Sequence, residues 1–224
     1  MKKIFLLLFV ITGILNLQAK TPNAFIGNIH FQVTGNENVD MKFATKDWFT
    51  AINISINKKE NVRMILDLQK SNITILTEGG PNGKMGIVTK LDDLPLDNIE
   101  KADANVKIEK TNEKKSILGY ECTKYIVTTD DGVAECWITE KIKFNPFENF
   151  GKMGNQSSKL IGQDAFKNMN GLAMETKYTD KLNKVTHIKV VSIDQNKPAE
   201  SVFSTAGYEI MDLSNFPGMK NMGK

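Results

Sequence analysis

Apolar residues in this chain recur at every second position more consistently than at every third or fourth. Ile29, Phe31 and Val33 share one side of a run whose other side carries His30 and Gln32. Trp48, Ile52, Ile54 and Ile56 form a second such set against Asn53 and Ser55. Val62, Met64, Leu66 and Leu68 alternate with Arg63 and Asp67, broken only by Ile65, and Ile73 and Ile75 follow a turn at Gln69-Lys70-Ser71. Near the other end Met174, Thr176 and Tyr178 keep the period. A turn then falls at Asp180 to Asn183, before Val185, His187, Lys189 and Val191. Alternation over about four to eight residues predicts half-buried antiparallel strands. A turn cluster at Glu78 to Gly83 leads into a strand from Lys84 to Lys90, and Val106 and Ile108 open another. The acidic stretch from Leu91 to Ala104, with Pro95, reads as a loop. Ser201 to Ala206 and Gly207 to Leu213 read as closing strands.

Helical signals are confined to one region. Asn145-Pro146-Phe147-Glu148 places a cap residue, a proline and a glutamate as a helix start requires. Asp164 to Leu172 reads as a second short helix, weakened by Gly171. The predicted fold class is therefore mainly β (α+β). It is a single curved antiparallel sheet or incompletely closed β-barrel, with short helices from an insertion at about 145–173 covering one mouth. One domain over 20–224 accommodates the whole pattern, its tail from 214 to 224 frayed.

The first residues change the expected compartment. Lys2-Lys3, the apolar run from Ile4 onward and the small residue Ala19 describe a secretory signal peptide over 1–19. An uncleaved anchor is the alternative, Leu17 being an imperfect residue before the cut. After Lys20 no apolar run approaches membrane-spanning length. The expected location is periplasmic or secreted, in a bacterium by the Lys- and Asn-rich composition. Without Lys2 and Lys3 the 29 basic residues become 27 against 26 acidic, a net of +1. That balance, with acids and lysines interspersed, argues against nucleic acid as a partner.

Candidate chemistry is sparse. The chain has no HExxH, nucleophile elbow, phosphate loop or CxxC, and its two histidines, His30 and His187, read as surface strand positions. No enzyme, metal site or cofactor is expected. Ten methionines without a tight spacing read as flexible apolar lining rather than copper ligands. Cys122 and Cys136 flank a predicted hairpin turn at Asp131-Gly132. That turn sets Val127 opposite Cys136 and Cys122 opposite Lys141, an offset too long for a disulfide. A Cys122–Cys136 bridge is thus disfavoured against two separately packed thiols, although an oxidising compartment favours it.

Around this hairpin the sequence has a recognisable signature. Lys115-Ser-Ile-Leu-Gly-Tyr-Glu-Cys-Thr-Lys-Tyr125, followed by Glu135-Cys-Trp-Ile-Thr139, resembles a secreted bacterial family, the domain of unknown function numbered 4412. Gly207-Tyr208 to Leu213 is similar to that family's closing strand. The family is similar in outline to periplasmic lipoprotein carriers, which implies a half-open barrel with a cavity for acyl chains. No catalytic residue follows from it. The leading expectation is a non-catalytic binding module that shields an apolar ligand, an acyl chain or lipid. Candidate lining residues are Ile52, Ile54, Met64, Leu66 and Trp137 on strands, with Phe147, Phe150, Phe166 and Met169 in a lid. Filling a solid core is the plain alternative for each. The second expectation is an envelope or stress protein acting through protein–protein contacts.

Overall fold

The computed structural model describes residues 23–57, 60–80, 83–90, 106–144 and 171–213. Twelve strands form one sheet. They are β1 (Gly27–Thr34), β2 (Val39–Lys46), β3 (Phe49–Ile56), β4 (Glu60–Asp67), β5 (Asn72–Gly80) and β6 (Gly83–Lys90), then β7 (Lys107–Ile117), β8 (Tyr120–Thr129), β9 (Gly132–Thr139), β10 (Leu172–Asp180), β11 (Val185–Asp194) and β12 (Glu209–Asp212). The order is β12-β6-β5-β4-β3-β2-β1-β11-β10-β9-β8-β7. Two antiparallel meanders, β1–β6 and β7–β11, are thus joined where β1 pairs with β11. The edge strands β7 and β12 do not pair, so among the described residues the sheet is not a closed barrel.

Its curvature follows from what it buries. One cluster gathers Ile29, Phe31, Met41, Phe43, Ile52, Leu66 and Ile73 from the first meander with Cys122, Leu172, Met174, Ile188 and Val190 from the second. Strands so far apart in order reach one core only if the sheet curls. Phe25, Phe144, Phe43 and Phe31 interlock edge-on within it, with ring centroids 5.3–5.7 Å apart. Side chains buried in this way stabilise the fold by roughly 1.5–3 kcal/mol each. A smaller cluster holds Tyr125, Val127, Ala134, Cys136, Ile138 and Tyr178 on β8–β10.

The C-terminal segment is a strap. After β11 it forms a 3-10 turn, Glu200–Phe203, where the alternation predicts a strand. It crosses the other face of the first meander and ends as β12, which pairs in parallel with β6. Under it lie Ala44, Ala51, Ile65 and Leu76, packed against Phe49, Val202, Phe203 and Tyr208. This cover explains Ile65, the residue that breaks the alternation of β4: both faces of that strand are buried at its level.

Several sequence expectations shift. Trp48 lies in the Asp47-Trp48 turn before β3 rather than on the strand. Leu172 and Ala173 belong to β10, so the helical insertion cannot extend to 173. Among residues 185–191, Ile188 and Val190 are the buried pair, while Val185 is exposed. The β8–β9 turn is Asp130-Asp131, one residue earlier than predicted, since Thr129 pairs with Gly132. Gly132 is required instead by the neighbouring strand: a Cβ there would lie 2.3 Å from the Thr179 carbonyl oxygen. The signature run contains a second turn, Leu118-Gly119, with φ of 51° and 82°. Positive φ at both positions is the demand of a two-residue hairpin that matches strand twist, and glycine meets it at no steric cost. Residues 1–22, the predicted helices within 145–170 and the tail from 214 lie outside the described residues.

Candidate functional site

Because side chains alternate along a strand, the first meander offers two surfaces of different chemistry. On the inner side the register places Ile29, Phe43, Ile52, Met64, Ile75 and Ile87 in one row across β1–β6. Ile52 is 2% exposed, Met64 and Ile75 are half-buried, and Ile87 is 39% exposed. The row therefore begins in sealed core and ends as open apolar surface. Of the predicted lining residues, Ile52 and Leu66 are buried within the main cluster, and Ile54 and Met64 pack against it half-buried. Phe147, Phe150, Phe166 and Met169 lie outside the described residues.

Trp137 joins the same cluster from β9 but has charged neighbours. The Lys115 ammonium sits 4.3 Å from its ring centroid, and that of Lys124 5.9 Å. Lys115 is held by Glu175 at 2.6 Å, and Lys124 by Glu135 at 2.9 Å. The hydrogen bond from Lys115 keeps the Glu175 carboxyl below its ordinary range. The bond to Glu135 pushes the Lys124 ammonium up. These charges satisfy one another around the indole.

The cysteines are free and buried. Cys136 pairs with Tyr125, three residues from Cys122, so the thiols leave opposite faces of the β8–β9 ladder and enter different clusters. The predicted Val127–Cys136 pairing is corrected by the one-residue shift of the turn. Burial raises both thiols, Cys136 to about 11. Among the described residues no three His, Cys, Asp or Glu side chains come together as metal ligands.

The outer side of the same strands carries a polar row, His30–Lys42–Asn53–Arg63, in direct register across β1–β4 and ending against buried Leu76 on β5. With Asp40, Ser55, Asn61 and Glu78 it floors a groove of about 480 Å³, and Tyr208 of the strap supplies a wall. His30 Nε2 lies 2.9 Å from Asp40 Oδ1, to which Gln32 also donates at 3.2 Å. The contact with His30 holds the Asp40 carboxyl below its ordinary value. Arg63 Nε donates to Asn53 Oδ1 at 3.0 Å, and its guanidinium stands 5.9 Å from the Tyr208 ring. The Tyr208 hydroxyl donates to Glu78, which also pairs with Lys84 at 3.4 Å. Those contacts, Tyr208 first, hold Glu78 low, and Glu78 raises the Tyr208 phenol. Sequence reasoning missed this groove. Its strand floor is written in the polar half of the alternation, but nothing local announces that Tyr208 closes it.

A curved twelve-stranded sheet with an apolar inner face and a polar outer groove is the class of protein these features define. The chain belongs to the family described as Domain of unknown function (DUF4412), which matches residues 12–208. No curated protein matches the sequence. Two solved structures of PNGF-II, in C2 and P21 space groups, are similar at 14% identity with TM-scores of 0.40 and 0.42. Each likeness covers 84% of this chain and 31% of the other, so the chain spans under a third of their length.

Proposed function

We propose that this chain is a non-catalytic binding module of the bacterial envelope, periplasmic or secreted, that shields an acyl chain or lipid against its inner face. The observation that supports this reading is the graded apolar row, sealed at Ile52 and open at Ile87. An alkyl chain laid along Met64, Ile75 and Ile87 would gain about 0.8 kcal/mol for each methylene removed from water. No directional contact is needed for that affinity. Pairing with a partner through a sheet edge is less well served. β7 carries Lys107, Lys110, Lys114 and Lys115, a composition that discourages strand addition, and β12 is only four residues long.

The test is native mass spectrometry of full-length protein exported to the periplasm and released without detergent. A mass adduct that dissociates as a fatty acid or phospholipid is expected, and Ile75→Asp should remove it while the far-ultraviolet spectrum stays unchanged. Protein that carries no adduct and fails to take up a fluorescent fatty acid would overturn the reading. Cell fractionation checks the location separately, since retention in the cytoplasm contradicts export.

A further inference from the structure

We infer that the outer groove between the first meander and the C-terminal strap is a second binding site, for a hydroxylated organic anion of monosaccharide size such as a sugar acid or sugar phosphate. The inference is independent of the apolar reading. It concerns the opposite face of the sheet, and either can fail alone.

The local acids are already engaged. Asp40 accepts from Gln32 and contacts His30, and Glu78 accepts from Tyr208 and pairs with Lys84. The cations are not balanced in the same way. Lys42 lines the groove and makes no hydrogen bond or close ion pair among the described residues, acting on Asp40 only through its charge. Arg63 is oriented rather than consumed. Its Nε is fixed by Asn53 and its Nη1 reaches the Ser204 carbonyl at 3.5 Å, leaving the rest of the guanidinium fork for an incoming carboxylate or phosphate.

Lys42 and Arg63 stand two strands apart in one register row, a separation of about 10 Å between backbones. Their side chains can therefore reach one small anion from two sides. Ser55 and Asn61 have no side-chain hydrogen bond among the described residues and can serve hydroxyls. The half-buried Tyr208 ring gives an apolar surface for the carbon skeleton. The cavity volume of about 480 Å³ falls within the span of small-ligand sites, ~300–1,000 Å³.

Isothermal titration of full-length protein with glucuronate, glucose 6-phosphate, glucose and inorganic phosphate tests the inference. One or both organic anions should bind saturably at one site, and which of them binds tells carboxylate from phosphate recognition. Glucose and inorganic phosphate should each bind at least about tenfold more weakly, a difference of 1.4 kcal/mol or more. Lys42→Ala, at an exposed position, should weaken the organic anion by about tenfold with unchanged thermal stability. Arg63→Lys keeps the charge but loses the fork, and should weaken it comparably. Failure of both organic anions to bind would overturn the site. So would binding that Lys42→Ala and Arg63→Lys leave untouched, or glucose or inorganic phosphate binding as tightly.

Discussion

The two faces of β2–β6 are made from the same strands and separated by one backbone, yet they are built for different tasks. Inside, Phe43, Ile52, Met64, Ile75 and Ile87 form a row whose burial fades towards the edge. Outside, Lys42, Asn53, Arg63 and Leu76 form a row whose charges are held in place and partly left unengaged. The inner row is continuous in chemistry and graded in exposure. The outer row is varied in chemistry and closes in the opposite sense, from exposed Lys42 to Leu76 sealed under the strap. Stability resides mainly in the first, since burial of apolar area outweighs half-exposed polar contacts. Selectivity has to come from the second, because only directional groups distinguish one small polar ligand from another.

The largest losses are expected on the inner face. Ile52→Ala and Leu66→Ala should each cost about 2–5 kcal/mol in urea denaturation, and Ile87→Ala under about 1 kcal/mol. Equal costs along the row would remove the gradient. A smaller effect is expected where the outer face is covered. Phe203→Ala should destabilise by about 1–3 kcal/mol, since Phe203 stacks near Phe49 and under the Lys46 ammonium. Hydrogen exchange should then quicken in 200–213 before it quickens in β1–β4.

The acid limb is smaller again and belongs to the outer face. The native Asp40 carboxyl is depressed below its ordinary 3.8, chiefly by His30, so the native state binds that proton less readily than the unfolded chain. Its contribution is present above the ordinary value and is lost as pH falls through the depressed one. Asp40→Asn should flatten the decline in stability below about pH 4, seen by chemical denaturation across that range. The least energetic difference is one of access. Both thiols are buried and raised, so neither should react with iodoacetamide at about pH 8 until urea unfolds the chain, and oxidation should leave mobility on a non-reducing gel unchanged.

Most of the strand architecture was legible in the alternation, because one buried face imposes a period of two wherever it occurs. The inner faces of β1, β3, β4 and β10 follow directly from residues such as Phe31, Ile52, Leu66 and Thr176. Three misreadings have a common cause. Ile65 looked mismatched, Gly132 looked like a turn residue, and Ser201 to Ala206 looked like a strand. Each is decided by a segment distant in sequence: the strap over β4, the Thr179 carbonyl beside Gly132, and the Phe49 ring beneath Phe203. The candidate site divides in the same way. Ile52, Ile54, Met64 and Leu66 were readable as one face, and the polar set opposite them was visible as its complement. What could not be read was that Glu78 and Tyr208, 130 positions apart, would meet and turn a polar face into a groove.

The strap also sets an order of events in the life of the chain. Synthesis runs from the amino end, and segments pair as they become available. The six strands of the first meander can associate through short hairpins, whereas β12 reaches β6 only after more than a hundred intervening residues have been made. The wall of the outer groove is thus synthesised well after its floor and, by loop length, settles after it. A chain cut short before residue 200 would keep its inner row and lose its polar pocket. Possession of that pocket is, in effect, a certificate that the strap has been made and has folded back onto the first meander.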